Sequence, residues 1–193
     1  MRQVDEKYVL MVNEAERSIT TPLTGMVMDS NSHHSSMKEE DLAAIGHRIV
    51  WFTAMLATAL ALGAALAHAF ELPNKMALGR EDYFTVQQIY AGWNRLAYLL
   101  GVQLIALVAL AVISRHQLGV RGGALVAIAG LIGAQVIFWS WTFPANVATE
   151  SWTVIPTNWQ ALRKTWEYSH AAGAALQTIA MSALIVAATA RSR

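Results

Sequence analysis

Polar and apolar positions divide this chain into one polar stretch and four apolar runs. Residues 1–44 are polar, and "MDSNSHHSSMKEED" is their most hydrophilic part. The runs are "IVWFTAMLATALALGAALA" (49–67), "LAYLLGVQLIALVALAVI" (96–113), "ALVAIAGLIGAQVIFWSWTF" (124–143) and "AAGAALQTIAMSALIVAATA" (171–190). Each is close to the ~20 residues that cross a hydrocarbon layer. Isolated strands leave their backbone unpaired in lipid, so the runs read as helices. The pattern predicts an all-α integral membrane protein, a four-transmembrane-helix bundle. Its helices are expected at about 47–70, 86–113, 122–143 and 167–190. Residues 1–44 read as a flexible cytoplasmic region ahead of a membrane domain at 45–193. Ser36 and Glu39 fit a capping box, which starts the first helix near Met37. Pro73 is expected to stop it.

Composition agrees with the pattern. The chain has 193 residues, of which 55% are hydrophobic and only 14% charged. A soluble domain carries about 25% charged residues. Mean hydropathy is +0.36. The net charge of +1 gives no footprint for nucleic acid. With no cysteine, disulfides, thiolate metal ligands and cysteine nucleophiles are excluded. The first apolar run comes too late for a cleavable leader, so it is expected to stay in the membrane, with the lipid bilayer as its partner.

Four spans place both termini on one side. Arg48, Arg115, Arg121, Arg191 and Arg193 belong to that side. The other side has Lys75, Arg80, Arg163 and Lys164 among Glu71, Glu81, Asp82, Glu150 and Glu167. The positive-inside rule then favours cytoplasmic termini, in a plasma or bacterial inner membrane. Glu71, Lys75, Arg80, Arg163 and Lys164 also read largely as solvated loop residues. Six of the seven tryptophans fall at or beyond the outer ends: Trp93, Trp139, Trp141, Trp152, Trp159 and Trp166. An interfacial belt would use both faces. The lopsided set points to an aromatic cap or pocket on the outer side.

Polar residues inside the spans fall in the same half. The first helix carries Ala54, Ala57, Ala61, Ala64 and Ala65 on one face, the signature of close helix packing in lipid. His68 continues that stripe, and Glu71 follows at i+3. The fourth helix reverses the order, with Glu167, then His170, then Gln177. The two histidines are thus expected at one depth, with the two glutamates above them. Gln103 and Gln135 lie about two turns inside the second and third helices, level with Gln177. Unpaired amides are costly in hydrocarbon, so the three glutamines are expected to face one another, across water or a ligand. Tyr90, Trp93 and Asn94 open the second helix, and Asn146 closes the third.

"AHAFELPNKM", "QQIYAGWN" and "FPANVATESWTVIPTNWQALRKTWEYSHAAGA" resemble a family of small four-helix membrane proteins long carried as a domain of unknown function. That family includes the anthrone oxygenases. The resemblance covers roughly residues 45–190, and its best-matched positions are Asn146, Pro156, Trp159, Arg163, Trp166, Glu167 and His170. It implies oxidation of a hydrophobic aromatic substrate by molecular oxygen, with no cofactor required. A carbon acid must lose a proton before it can give an electron to oxygen, and histidine suits that task. Under this reading His170 is the base, oriented by Glu167 or Glu71, and His68 or Arg163 stabilises the developing oxyanion. Tyr90, Trp93, Asn94, Gln103, Gln135, Trp139, Asn146, Trp159, Trp166 and Gln177 are the candidate contacts to substrate.

Two other readings stay open. His68, His170, Glu71 and Glu167 offer donors for a metal ion, or the two histidines for haem. A non-enzymatic membrane subunit, assembly factor or small-solute carrier would use the small-residue face of the first helix and "GALVAIAGLIGA" of the third for a partner or a homo-oligomer.

Overall fold

A computed structural model describes residues 3–190, with side chains described from Lys38 onward and at Met11, Asn13 and Glu14. Arg191 and Arg193 lie outside these residues. The chain divides into two compact units, Met1–Gly46 and His47–Arg193. Helix α1 spans Gln3–Ala77. Its backbone passes through Met37 unbroken, so Ser36 and Glu39 mark no helix start. The first unit is helical backbone from Gln3, and everything below concerns the second.

After α1 come α2 (Arg80–Gln87), two 3-10 turns at Gln88–Tyr90 and Trp93–Arg95, and α3 (Leu96–Ile113). Next are α4 (Leu118–Ile137), a π-helical stretch at Phe138–Thr142, α5 (Phe143–Ala148) and α6 (Trp159–Ala190). Among the described residues there is no strand. Four helical stretches are long and apolar enough to cross a membrane: Lys38–Ala77, Trp93–Ile113, Leu118–Ala148 and Trp159–Ala190.

The boundaries differ from the sequence expectation for physical reasons. Pro73 does not stop α1, which runs on one more turn to Ala77. The ring costs a bond to the carbonyl four residues back, but the turn beyond it is tied down through Lys75. The helix expected from about 86 is broken instead at Gly92, whose φ of 86° suits a residue without a Cβ. The π stretch bonds the Phe143 N–H to Phe138 O. It widens the helix just before Pro144, which cannot donate to the turn behind it. α6 starts eight residues before the expected 167, at Trp159.

The core is built from Ala54 of α1, Ala106, Leu107 and Leu110 of α3, Ala124, Ala127 and Leu131 of α4, and Ala180 and Leu184 of α6. The alanine stripe of α1 does face inward, with Ala54, Ala57 and Ala61 all buried. Helices α4 and α6 approach closely because α4 offers glycines there. A Cβ on Gly130 would lie 2.9 Å from Leu176 O and 3.2 Å from Ala180 Cβ, and one on Gly123 2.6 Å from Ala187 Cβ. The "GALVAIAGLIGA" glycines considered for self-association therefore pack within the chain. Gly130→Val is expected to lower stability by about 1–3 kcal/mol, the usual cost of overpacking. Gly63→Val, where a Cβ meets nothing within 4 Å, should change little. Unfolding midpoints in detergent measure both.

Candidate functional site

The polar residues gather where α1 ends and where α3 and α6 begin. His68 projects from α1 and is 6% exposed. Its ring centroid lies 4.2 Å from His170, 4.5 Å from Tyr90, and 5.2 Å from both Trp93 and Trp166. His170 lies on α6, 3.9 Å from the Trp166 ring. The two imidazoles therefore do meet at one depth, inside an aromatic cage. His170 Nδ1 is 2.9 Å from Trp166 O. A carbonyl can only accept, so Nδ1 carries the hydrogen and Nε2 is the basic nitrogen of the neutral ring. His68 Nδ1 is buried and has no partner among the described residues.

Beside the cage sits a buried ionic cluster. Lys75 is 3% exposed, so it is no solvated loop residue. Its Nζ lies 3.1 Å from Glu167 Oε1 and 3.6 Å from Glu71 Oε2, and it donates to Tyr90 Oη at 3.1 Å. The ammonium also stands 4.9 Å from the centroid of the Tyr90 ring and 4.7 Å from that of Trp166. Glu167 is fully buried. Its Oε1 also accepts from Tyr83 Oη at 2.9 Å and Gln87 Nε2 at 3.4 Å. Gln87 donates to the Tyr83 hydroxyl as well, and the Tyr90 hydroxyl donates to Glu71.

This geometry corrects the roles drawn from spacing. Glu167 and Glu71 share a helix face with His170 and His68, yet both carboxylates bond Lys75 and a tyrosine. His170 is oriented by the Trp166 carbonyl instead. Arg163 is buried away from solvent but is used in the cap. It donates to Leu78 O at 2.9 Å and lies over the rings of Trp159 at 4.7 Å and Tyr83 at 5.4 Å. Lys75 is the cation beside the imidazole cage. Among the described residues no three His, Cys, Asp or Glu side chains are placed to hold a metal ion. His68, His170, Glu71 and Glu167 thus form no metal-ligand set.

The candidate substrate contacts separate into groups. Tyr90, Trp93 and Trp166 line the cage. Trp159 packs 6.4 Å from Tyr83 and 6.3 Å from Phe84 in the aromatic wall. Asn146 Oδ1 accepts from Trp152 Nε1 at 3.0 Å and Trp166 Nε1 at 2.9 Å, so it locks that wall. Gln103 Nε2 donates to Gln177 Oε1 at 3.0 Å and to Thr58 Oγ1 at 3.3 Å. Gln135 does not join them. With Trp139 it lines a separate lateral groove of about 610 Å³ between α3 and α4, which neither histidine touches. Asn94 is exposed.

No protein-family model matches this chain, and no curated protein or solved structure matches it. The site stands on its own geometry. Sequence reasoning missed Lys75, Tyr83 and Gln87. Two of the contacts were open to reading: Glu71 with Lys75, and Tyr83 with Gln87, are each spaced i, i+4.

The connections Arg80–Gln87 and Gln88–Tyr90 hold two tyrosines that resist ionisation. Burial, then the Glu167 charge, pushes the Tyr83 hydroxyl well above the usual tyrosine range. Burial and the bond to Glu71 do the same for Tyr90. A raised folded-state pKa means the unfolded chain loses these protons first. Their stabilisation is complete below the unfolded value of about 10 and falls as pH rises above it. Phenolate absorbance in detergent should show both rings titrating only together with alkaline unfolding. Tyr83→Phe and Tyr90→Phe should leave the pre-transition signal unchanged.

Proposed function

We propose that this chain is a four-span integral membrane protein and an oxidoreductase of the anthrone oxygenase kind, acting on a hydrophobic aromatic carbon acid. The membrane reading is supported by what the apolar helices leave uncovered. Only 22–28% of each spanning window is buried within the chain. Phe52, Ile105, Leu125 and Val186 stand exposed on the four helices, as suits a lipid-facing surface. Arg48, Arg115 and Arg121 at one end favour cytoplasmic termini in a plasma or bacterial inner membrane.

The observation that carries the chemistry is the His68–His170 pair at 4.2 Å within its cage, with the tautomer of His170 set by Trp166 O. His170 Nε2 takes the proton from the activated carbon. The resulting carbanion reduces molecular oxygen. One oxygen atom is retained as the new carbonyl, and the other leaves as water with the two hydrogens lost from carbon. Lys75 supplies positive charge beside the cage, and the surrounding indoles exclude bulk water.

The test uses purified protein in lipid nanodiscs with anthrone under air. Oxygen uptake and anthraquinone absorbance should rise together, one oxygen consumed per quinone formed. Rates no higher than those of empty nanodiscs would refute the assignment.

A further inference from the structure

The lateral groove lies outside the histidine site, and its lining is not uniformly apolar. Leu100 and Leu104 of α3 and Leu131 and Val136 of α4 form its walls, with Gln135 and Trp139 at one side. Its volume of about 610 Å³ falls within the range of ~300–1,000 Å³ typical of small-molecule sites. The Trp139 ring is held against Phe143 at 4.9 Å and Phe138 at 5.4 Å, so that wall is preset. Trp139 belongs to the π-helical stretch, and such widened turns recur at functional sites. Gln103 Nε2 donates to Gln177 Oε1 inside the bundle, whereas Gln135 has no hydrogen-bond partner among the described residues. An amide in hydrocarbon without a partner is costly.

We propose that this groove is a ligand site open to the bilayer, taking a flat hydrophobic ring that carries a carbonyl or hydroxyl group. The inference rests on the membrane reading above but needs none of the oxidation chemistry. An acyl chain would fill the apolar walls and leave Gln135 unpaired. A ring carbonyl accepts from the Gln135 amide, a hydroxyl donates to its Oε1, and the ring face lies against Trp139. Gly101 gives the ring its room, since a Cβ built there meets nothing within 4 Å.

Benzophenone, an apolar diaryl ketone that inserts into nearby C–H bonds under ultraviolet light, is the probe. The full chain is irradiated with it in nanodiscs, and adducts are mapped by peptide mass spectrometry. They should concentrate on Leu100, Leu104 and Val136 rather than on the lipid-facing Ile105 and Val186. Gln135→Leu should cut groove labelling roughly 3–10-fold, the usual net worth of one hydrogen bond. Gly101→Phe, which fills the groove without touching the backbone, should abolish it. Equal labelling of Ile105 and Val186, or undiminished labelling of Gln135→Leu, would reduce the groove to an acyl-chain crevice and overturn the proposal. Labelling needs no turnover, so an inactive protein that still labels in the groove fails only the oxygenase reading. A carbonate wash of the source membranes reads the membrane assignment separately.

Discussion

Glu167→Ala is expected to destabilise the folded protein by about 3–5 kcal/mol, the cost of removing one partner from a buried ion pair. The loss is large because one oxygen atom serves three donors. Lys75, Tyr83 and Gln87 all converge on Oε1 of a fully buried side chain. Without it the one carboxylate left beside Lys75 among the described residues is Glu71 at 3.6 Å, whose side chain is 41% exposed. A domain of this size has about 5–15 kcal/mol in total, so the variant should show a sharply lowered midpoint in detergent or fail to accumulate. Lys75→Met combined with Glu167→Leu should recover much of that loss, because removing both charges also removes their desolvation cost. If Glu167→Ala melts with the wild type, the cluster is not what joins α1 to α6.

His170→Ala should lower kcat for anthrone by about 10²–10⁴-fold, the span usually lost with a general base. At about 1.36 kcal/mol per decade, this raises the barrier by roughly 3–5 kcal/mol. KM should move far less, since the Tyr90, Trp93 and Trp166 faces that would hold an aromatic ring remain. His68→Ala should cost less than His170→Ala, because only His170 has its tautomer fixed by a backbone carbonyl. Parallel melting curves separate a catalytic loss from a collapsed cage. Turnover by His170→Ala at the wild-type rate would remove the histidine from the mechanism.

Much of the fold could be read from length and periodicity alone. Four apolar runs announced four long helices, and the alanine spacing of α1 identified its buried face down to His68. Depth was legible too, because the rise per residue is constant, and His68 and His170 do meet. Bonding direction was not legible. Spacing at i+3 put Glu167 and His170 on one helix face, but a carboxylate on a flexible stem chose the ammonium across the bundle. Lys75 follows a proline, and that context reads as loop until the helix is seen to continue through it. Gln135 was misplaced because equal depth says nothing of azimuth: it faces the α3–α4 groove while Gln103 and Gln177 face the bundle interior. Trp152 was legible as one of a lopsided aromatic set, but its partners were not, since its place depends on an irregular connection.

That connection has an unusual backbone. Glu150, Ser151 and Trp152 are three consecutive non-glycine residues at φ values of 46°, 59° and 67°. Each is uphill by about 1–2 kcal/mol for an L-residue, and bonds within the turn offset part of that cost: Ser151 N–H donates to Asn146 O at 2.7 Å and Trp152 N–H to Thr149 Oγ1 at 3.1 Å. Further support comes from farther off in the chain. Gln88 Nε2 donates to Trp152 O at 2.8 Å, the Tyr83 ring lies 5.3 Å from the Trp152 indole, and Asn146 holds that indole together with Trp166. Contacts between distant segments require the intervening chain to be closed first. The shape of this corner is therefore coupled to α2 and α6, which carry Tyr83 and Trp166 against the Trp152 indole.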